Sequence, residues 1–123
     1  MNYNLSIILL IVAQTCFAQK FDVKKISKGN IVNLLESEFV GFEYQGVVYY
    51  VESDLKSLVA VEKQTNKIKW KTDVVTACGI PFEGKPEIRY LKLQKNSIHV
   101  VYGKHNEAVL DADDGSLFLC GSD

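Results

Sequence analysis

The chain has 123 residues, with 14 lysines and arginines against 15 aspartates and glutamates and a formal net charge of −1. That length accommodates one domain with a modest core. Near-neutrality without a long basic run excludes a sequence-independent electrostatic grip on nucleic acid or anionic membrane. The ordinary composition excludes a low-complexity, disordered chain.

The first element is the uncharged apolar run from Leu5 to Ala13. It falls well short of the ~20 apolar residues that cross a bilayer and suits the core of a signal peptide. Cys16 and Ala18 take the −3 and −1 positions of a small-residue cleavage site, so residues 1–18 read as a leader and Gln19 as the new N-terminus. The segment before the run, Met1 to Asn4, lacks the usual Lys or Arg, and a short buried N-terminal strand or helix is the alternative. Ala13-Gln14-Thr15 lacks the aliphatic and small residues that a lipobox places before its cysteine. The expectation is an exported protein, periplasmic or extracellular, with no integral membrane span.

Residues 19–38 form an N-terminal arm. Phe21, Val23 and Ile26 favour an extended start, and Asn30 is placed to cap a short helix through Ile31, Leu34 and Leu35. A β-arm is the alternative.

From Phe39 onward short strands alternate with turn residues, giving a single β domain over 39–123. Strands are expected at Phe39–Tyr44, Val47–Glu52, Ser57–Glu62 and Lys67–Lys71. Val47, Tyr49 and Val51 share one face and Val48 and Tyr50 the other, so this strand is covered on both sides. In the fourth strand Lys67, Lys69 and Lys71 face water while Ile68 and Trp70 turn inward. The lysines read as a solvated face that discourages edge pairing. Asp73 to Lys85 reads as a connection. Ile88–Gln94, Ser97–Tyr102, Glu107–Asp111 and Ser116–Cys120 follow as four further strands.

Loss of the leader removes Cys16 and leaves Cys78 and Cys120. An even pair in an oxidising compartment reads as a disulfide. Two free thiols or a metal pair are the alternatives, although two cysteines without CxxC spacing or nearby histidines make a poor zinc site.

The two halves repeat. Gly46–Val51 aligns with Asn96–Val101, and Val59–Trp70 aligns with Ala108–Leu119. The copies span about 39–73 and 86–120, and their offset of roughly 50 residues is near the length of a propeller blade with its linker. Ser57-Leu58-Val59-Ala60-Val61-Glu62, Thr65-Asn66 and Lys67-Ile68-Lys69-Trp70 resemble the blade motif of the PQQ-like, quinoprotein-type β-propeller repeats. The second copy resembles it less closely, through Val109-Leu110-Asp111-Ala112-Asp113-Asp114-Gly115 and Leu117-Phe118-Leu119, with Leu119 where the motif has Trp. The resemblance implies a β architecture in which Trp70 wedges between sheets. It implies no cofactor here, because two blades cannot close a ring around a quinone. The expected fold is therefore all-β: two tandem four-stranded antiparallel meanders packed as a sandwich, with a short N-terminal arm or helix.

Candidate chemistry is sparse. Asp111, Asp113 and Asp114 lack EF-hand spacing and read as an Asp-rich turn. His99 and His105 lack a third ligand or partner carboxylate. No GxSxG, phosphate loop or zinc-protease helix is present. No enzyme, cofactor or metal site is therefore expected.

Aromatic side chains are dense, and Tyr is favoured at recognition surfaces. Tyr44, Tyr50, Tyr90 and Tyr102 are the candidate partner surface, with core packing as the alternative for each. The function expected from export, small size and absent chemistry is a non-enzymatic protein that docks a protein partner, as an immunity-type or inhibitor protein would. A structural subunit of an envelope assembly, homo-oligomers included, and a binder of small molecules or glycans are the alternatives.

Overall fold

The structure, a computed structural model, describes residues 21–122. The leader, its cleavage site and the first two residues of the arm lie outside the described residues. A 3₁₀ turn at Val23–Lys25 leads into β1 (Ile26–Ser27) and β2 (Ile31–Asn33). β3 (Gly41–Tyr44), β4 (Val47–Val51), β5 (Ser57–Glu62) and β6 (Lys67–Asp73) follow. A single helical turn, α1 (Val74–Cys78), precedes β7 (Ile88–Gln94), β8 (Ser97–Tyr102), β9 (Asn106–Asp111) and β10 (Leu117–Ser122).

These strands form two five-stranded sheets, in the orders β1-β3-β4-β5-β6 and β10-β9-β8-β7-β2. Each holds one antiparallel meander with one strand of the N-terminal segment added at its edge. The sheets pack together as an all-β sandwich around a shared apolar core.

The turn residues explain the reversals. Gln45 and Gly46 both have positive φ (51° and 77°), the geometry that a two-residue hairpin requires. In the connection after β6, Asp73 caps α1 by accepting from the Thr76 amide at 3.0 Å. Gly79, at φ 114°, ends that turn.

The two copies stack front to back. Tyr49, Val51, Leu58, Ala60 and Trp70 of the first meander face the inter-sheet core. Their repeat equivalents in the second are His99, Val101, Glu107, Val109 and Leu119, none of them in that core. The second meander instead contributes Ile98, Val100, Ala108 and Leu110. Those residues are the equivalents of Val48, Tyr50, Val59 and Val61, which line the outer face of the first sheet. Burying a fully enclosed side chain such as Phe42 or Leu58 stabilises the fold by roughly 1.5–3 kcal/mol.

β4 is covered on both faces, as its sequence predicts. Val48 and Tyr50 pack under Phe21, Ile26 and Val40, while Tyr49 and Val51 join the main core.

Two expectations are corrected. Residues 31–33 form β2 and not a helix: Val32 is 2% exposed, and the backbone pairs with β7 from Ile31↔Lys92 to Asn33↔Tyr90. A helix this short is marginal by itself, and the free edge of β7 offers a better set of partners. Asn30 caps nothing, because its amide donates to the Leu93 carbonyl at 3.1 Å.

Ile68 also does not share a face with Trp70. A bulge at Lys69 makes Ala60 pair with Trp70 but Val61 with Ile68, which reverses the alternation and leaves Ile68 38% exposed. The second copy carries the same bulge at Phe118, where Val109 pairs with Leu119 and Leu110 with Leu117.

Candidate docking surface

The strand directions bring α1, the connection 79–87 and the turn 103–105 to one end of the sandwich. That end is braced more heavily than its lack of regular structure suggests. The Cys78–Cys120 disulfide, with Cα atoms 5.5 Å apart, ties α1 to β10 and bears out the pairing expected from the sequence. Next to it, the Tyr102 hydroxyl donates to the Gly79 carbonyl at 2.8 Å. Burial raises the Tyr102 pKa above its ordinary value.

Pro81 is buried against Gly103, where a β-carbon would lie 2.5 Å from the proline's own. The Lys104 amide donates to the Glu83 carbonyl at 3.0 Å, and the Gly103 amide donates to the Glu87 carbonyl at 3.2 Å. Arg89 then clasps the facing turn, donating from Nε to the Gly103 carbonyl at 2.7 Å and from Nη2 to the Lys104 carbonyl at 2.9 Å.

This bracing holds two large apolar side chains in water. Ile80 is 79% exposed and Phe82 is 101% exposed. A buried Phe would gain roughly 2–3 kcal/mol, so a loose loop has reason to fold its ring back onto the body. With its backbone tied at Gly79, Pro81 and Glu83, this loop cannot readily do so. A small cleft of about 200 Å³ opens on the same end, between Leu35, Leu55, Ile88 and Arg89. Leu35 on its rim is itself 75% exposed. An aromatic knob on a pre-ordered loop is the form in which a recognition anchor loses least entropy on binding.

The four tyrosines proposed from sequence as a partner surface are scattered. Tyr102 (1% exposed) and Tyr50 (6%) are core residues, the latter packed on Phe21 with ring centroids 5.2 Å apart. Tyr44 is exposed, at the opposite end of the sandwich beside the Gln45-Gly46 turn. Tyr90 is half-buried on β7. The expected surface is thus corrected for Tyr50 and Tyr102, whose rings fill the two hydrophobic layers. The side chains the sequence reading missed are Ile80 and Phe82. In a stretch marked only by Gly and Pro, nothing distinguishes a ring that tucks in from one held out.

Other polar groups are engaged in turns. Asp111 Oδ1 accepts from the Asp113 amide at 2.7 Å, and Asp114 Oδ1 accepts from the Ser116 amide at 2.9 Å. Asp113 Oδ2 accepts from Asn96 at 2.9 Å. Among the described residues no three His, Cys, Asp or Glu side chains converge as a metal site, and no helix is long and apolar enough to cross a membrane. In comparison with known proteins, the chain matches no family model and no curated protein sequence.

Proposed function

We propose that the protein is an exported, non-enzymatic docking protein that inserts Phe82 into a concave apolar pocket of a protein partner, in the manner of an immunity-type or inhibitor protein. One observation carries this reading: a fully exposed phenylalanine on a loop fixed by a disulfide, a tyrosine hydroxyl and the packing of Pro81 on Gly103. Export is supported by the apolar run from Leu5 to Ala13 and by the disulfide, a bond that persists in oxidising compartments. The internal repeat is supported by the bulge common to both copies, at Lys69 and at Phe118.

The test is parallel capture from the native cell envelope with tagged wild-type protein and its Phe82→Ala variant. A stoichiometric protein retained by the wild type and lost with Phe82→Ala supports the reading. No partner, or one held equally by both, overturns it.

The alternative, a unit that adds further blades at its ends, has less support. At the outer end of the first copy Asn66 stands where Gly115 seats the indole, and at the outer end of the second Leu119 stands where Trp70 would insert.

A further inference from the structure

The outer face of the first sheet is apolar, and the N-terminal segment crosses and largely covers it. Val48, Tyr50, Val59 and Val61 form that face, and Phe21, Ile26 and Val40 pack onto it. Between strap and sheet a cleft of about 450 Å³ remains, with Val48 as its floor and Phe21, Val23 and Ile26 as its wall. This volume lies within the range of about 300–1,000 Å³ typical of small-molecule sites. It has more than twice the volume of the cleft beside Leu55, and it does not overlap the docking loop.

The charges sit on its rim. Lys63 Nζ is held by Glu43 at 3.0 and 3.3 Å, so that pair is neutral overall. Lys28, also on the rim, makes no ion pair among the described residues. The cleft therefore combines an apolar trough with a cation at its mouth that no described residue pairs. A ligand complementary to that has a single apolar tail and a compact anionic head.

We propose that this cleft binds a single-chain anionic amphiphile such as a medium-length fatty carboxylate, with the tail over Val48 between Phe21 and Ile26 and the head on Lys28. The site is independent of the protein-docking reading. The tail gains from removal of methylenes from water, so affinity rises with chain length until the trough is full. The head selects for negative charge because a charge-assisted hydrogen bond to an ammonium is stronger than a neutral one.

The experiment is a calorimetric titration of the full chain with hexanoate, octanoate and decanoate below their aggregation concentrations, with amide NMR shifts to locate binding. The expected result is saturable one-to-one binding that tightens by about fourfold per methylene, with shifts centred on Phe21, Ile26 and Val48. Decylamine should bind at least about tenfold more weakly than decanoate, and Lys28→Glu should weaken decanoate by a similar factor. Val23→Glu changes an exposed wall residue and should also reduce binding while leaving the denaturation midpoint unmoved. Absence of saturable binding, equal binding of decylamine, or shifts elsewhere would overturn the proposal. So would sedimentation with phosphatidylglycerol vesicles in place of decanoate binding, since that outcome assigns the face to a bilayer.

Discussion

The indole of Trp70 occupies the space that a side chain on Gly115 would need: a β-carbon there would lie 2.4 Å from Cδ2 and Cε3 of the ring. The fit is fixed from both directions, because Trp70 Nε1 donates to the Ala112 carbonyl at 2.9 Å and the Thr72 hydroxyl donates to the Gly115 carbonyl at 2.7 Å. The strand end of one copy is thereby locked onto the turn of the other.

Gly115→Ala should therefore be among the most damaging single-methyl additions in the chain. The residue has φ 74°, which costs an L-amino acid roughly 1–2 kcal/mol, and displacing the indole adds overpacking strain of about 1–3 kcal/mol. A loss of about 2–5 kcal/mol in urea denaturation is expected. Trp70→Phe should lose less, mainly through the unpaired Ala112 carbonyl, at about 1–3 kcal/mol. A Gly115→Ala midpoint equal to wild type would show that the two copies are not held together here.

Reduction of Cys78–Cys120 should destabilise the fold by about 4 kcal/mol, the chain-entropy value for a crosslink separated by 42 residues. Denaturation curves with and without reductant, and for the Cys78→Ser/Cys120→Ser double variant, measure it. A change below about 1 kcal/mol would mean that α1 and β10 are held equally well by other contacts.

Phe82→Ala should change stability by no more than about 0.5 kcal/mol, because the side chain touches water and little else. Tyr102→Phe should cost about 1 kcal/mol and speed amide exchange in residues 79–84, since it removes the hydroxyl that holds Gly79. Together the variants separate a recognition side chain from a residue that positions the loop. Unchanged exchange in Tyr102→Phe would show that the disulfide and Pro81 suffice.

Two carboxylates set the expected response to acid. Asp114 is held below the usual carboxylate range by the amide and hydroxyl of Ser116. At Asp54 burial pushes the pKa up, but the amides of Lys56 and Ser57 and the Ser57 hydroxyl outweigh it, and the net shift is downward. In both cases the unfolded chain binds its proton at a higher pH than the folded one. The stabilisation is thus fully present above the unfolded value of about 3.9, and it disappears as pH falls through the folded value. Urea midpoints measured from pH 7 down to pH 2 should drop below about pH 4. Asp54→Asn and Asp114→Asn should flatten that drop. Carboxyl NMR titrations placing both groups at ordinary values would contradict this.

Most of the strand pattern was legible, because both faces of β4 and the alternation along β8 are written in apolar residues whose spacing leaves little choice. The failures share a different cause. Whether Ile31–Asn33 coils or extends depends on a free edge of β7, about sixty residues away, which no local propensity contains. Ile68 was misassigned because one extra residue at Lys69 reverses a strict alternation, and nothing marks a bulge within a run of Lys and hydrophobic residues. Tyr50 and Tyr102 looked like surface residues by type, yet each sits where its sheet needs a large ring. Phe82 shows the opposite, an apolar type kept in water by the bracing around it.

The N-terminal strap carries a consequence for how the molecule is made. Its two short strands lie only three residues apart but belong to different sheets: Ile26 pairs beside Gly41, whereas Ile31 must wait for Lys92. A growing chain can thus complete the first sheet early, while Val32 has no strand partner until Leu91 has emerged. Ordering of residues 31–33 is a late event, delayed by the long loop that it closes. Pairing of β2 then reports that the chain has folded through β7, and a product truncated before β7 would leave β2 unfastened beside a completed β1.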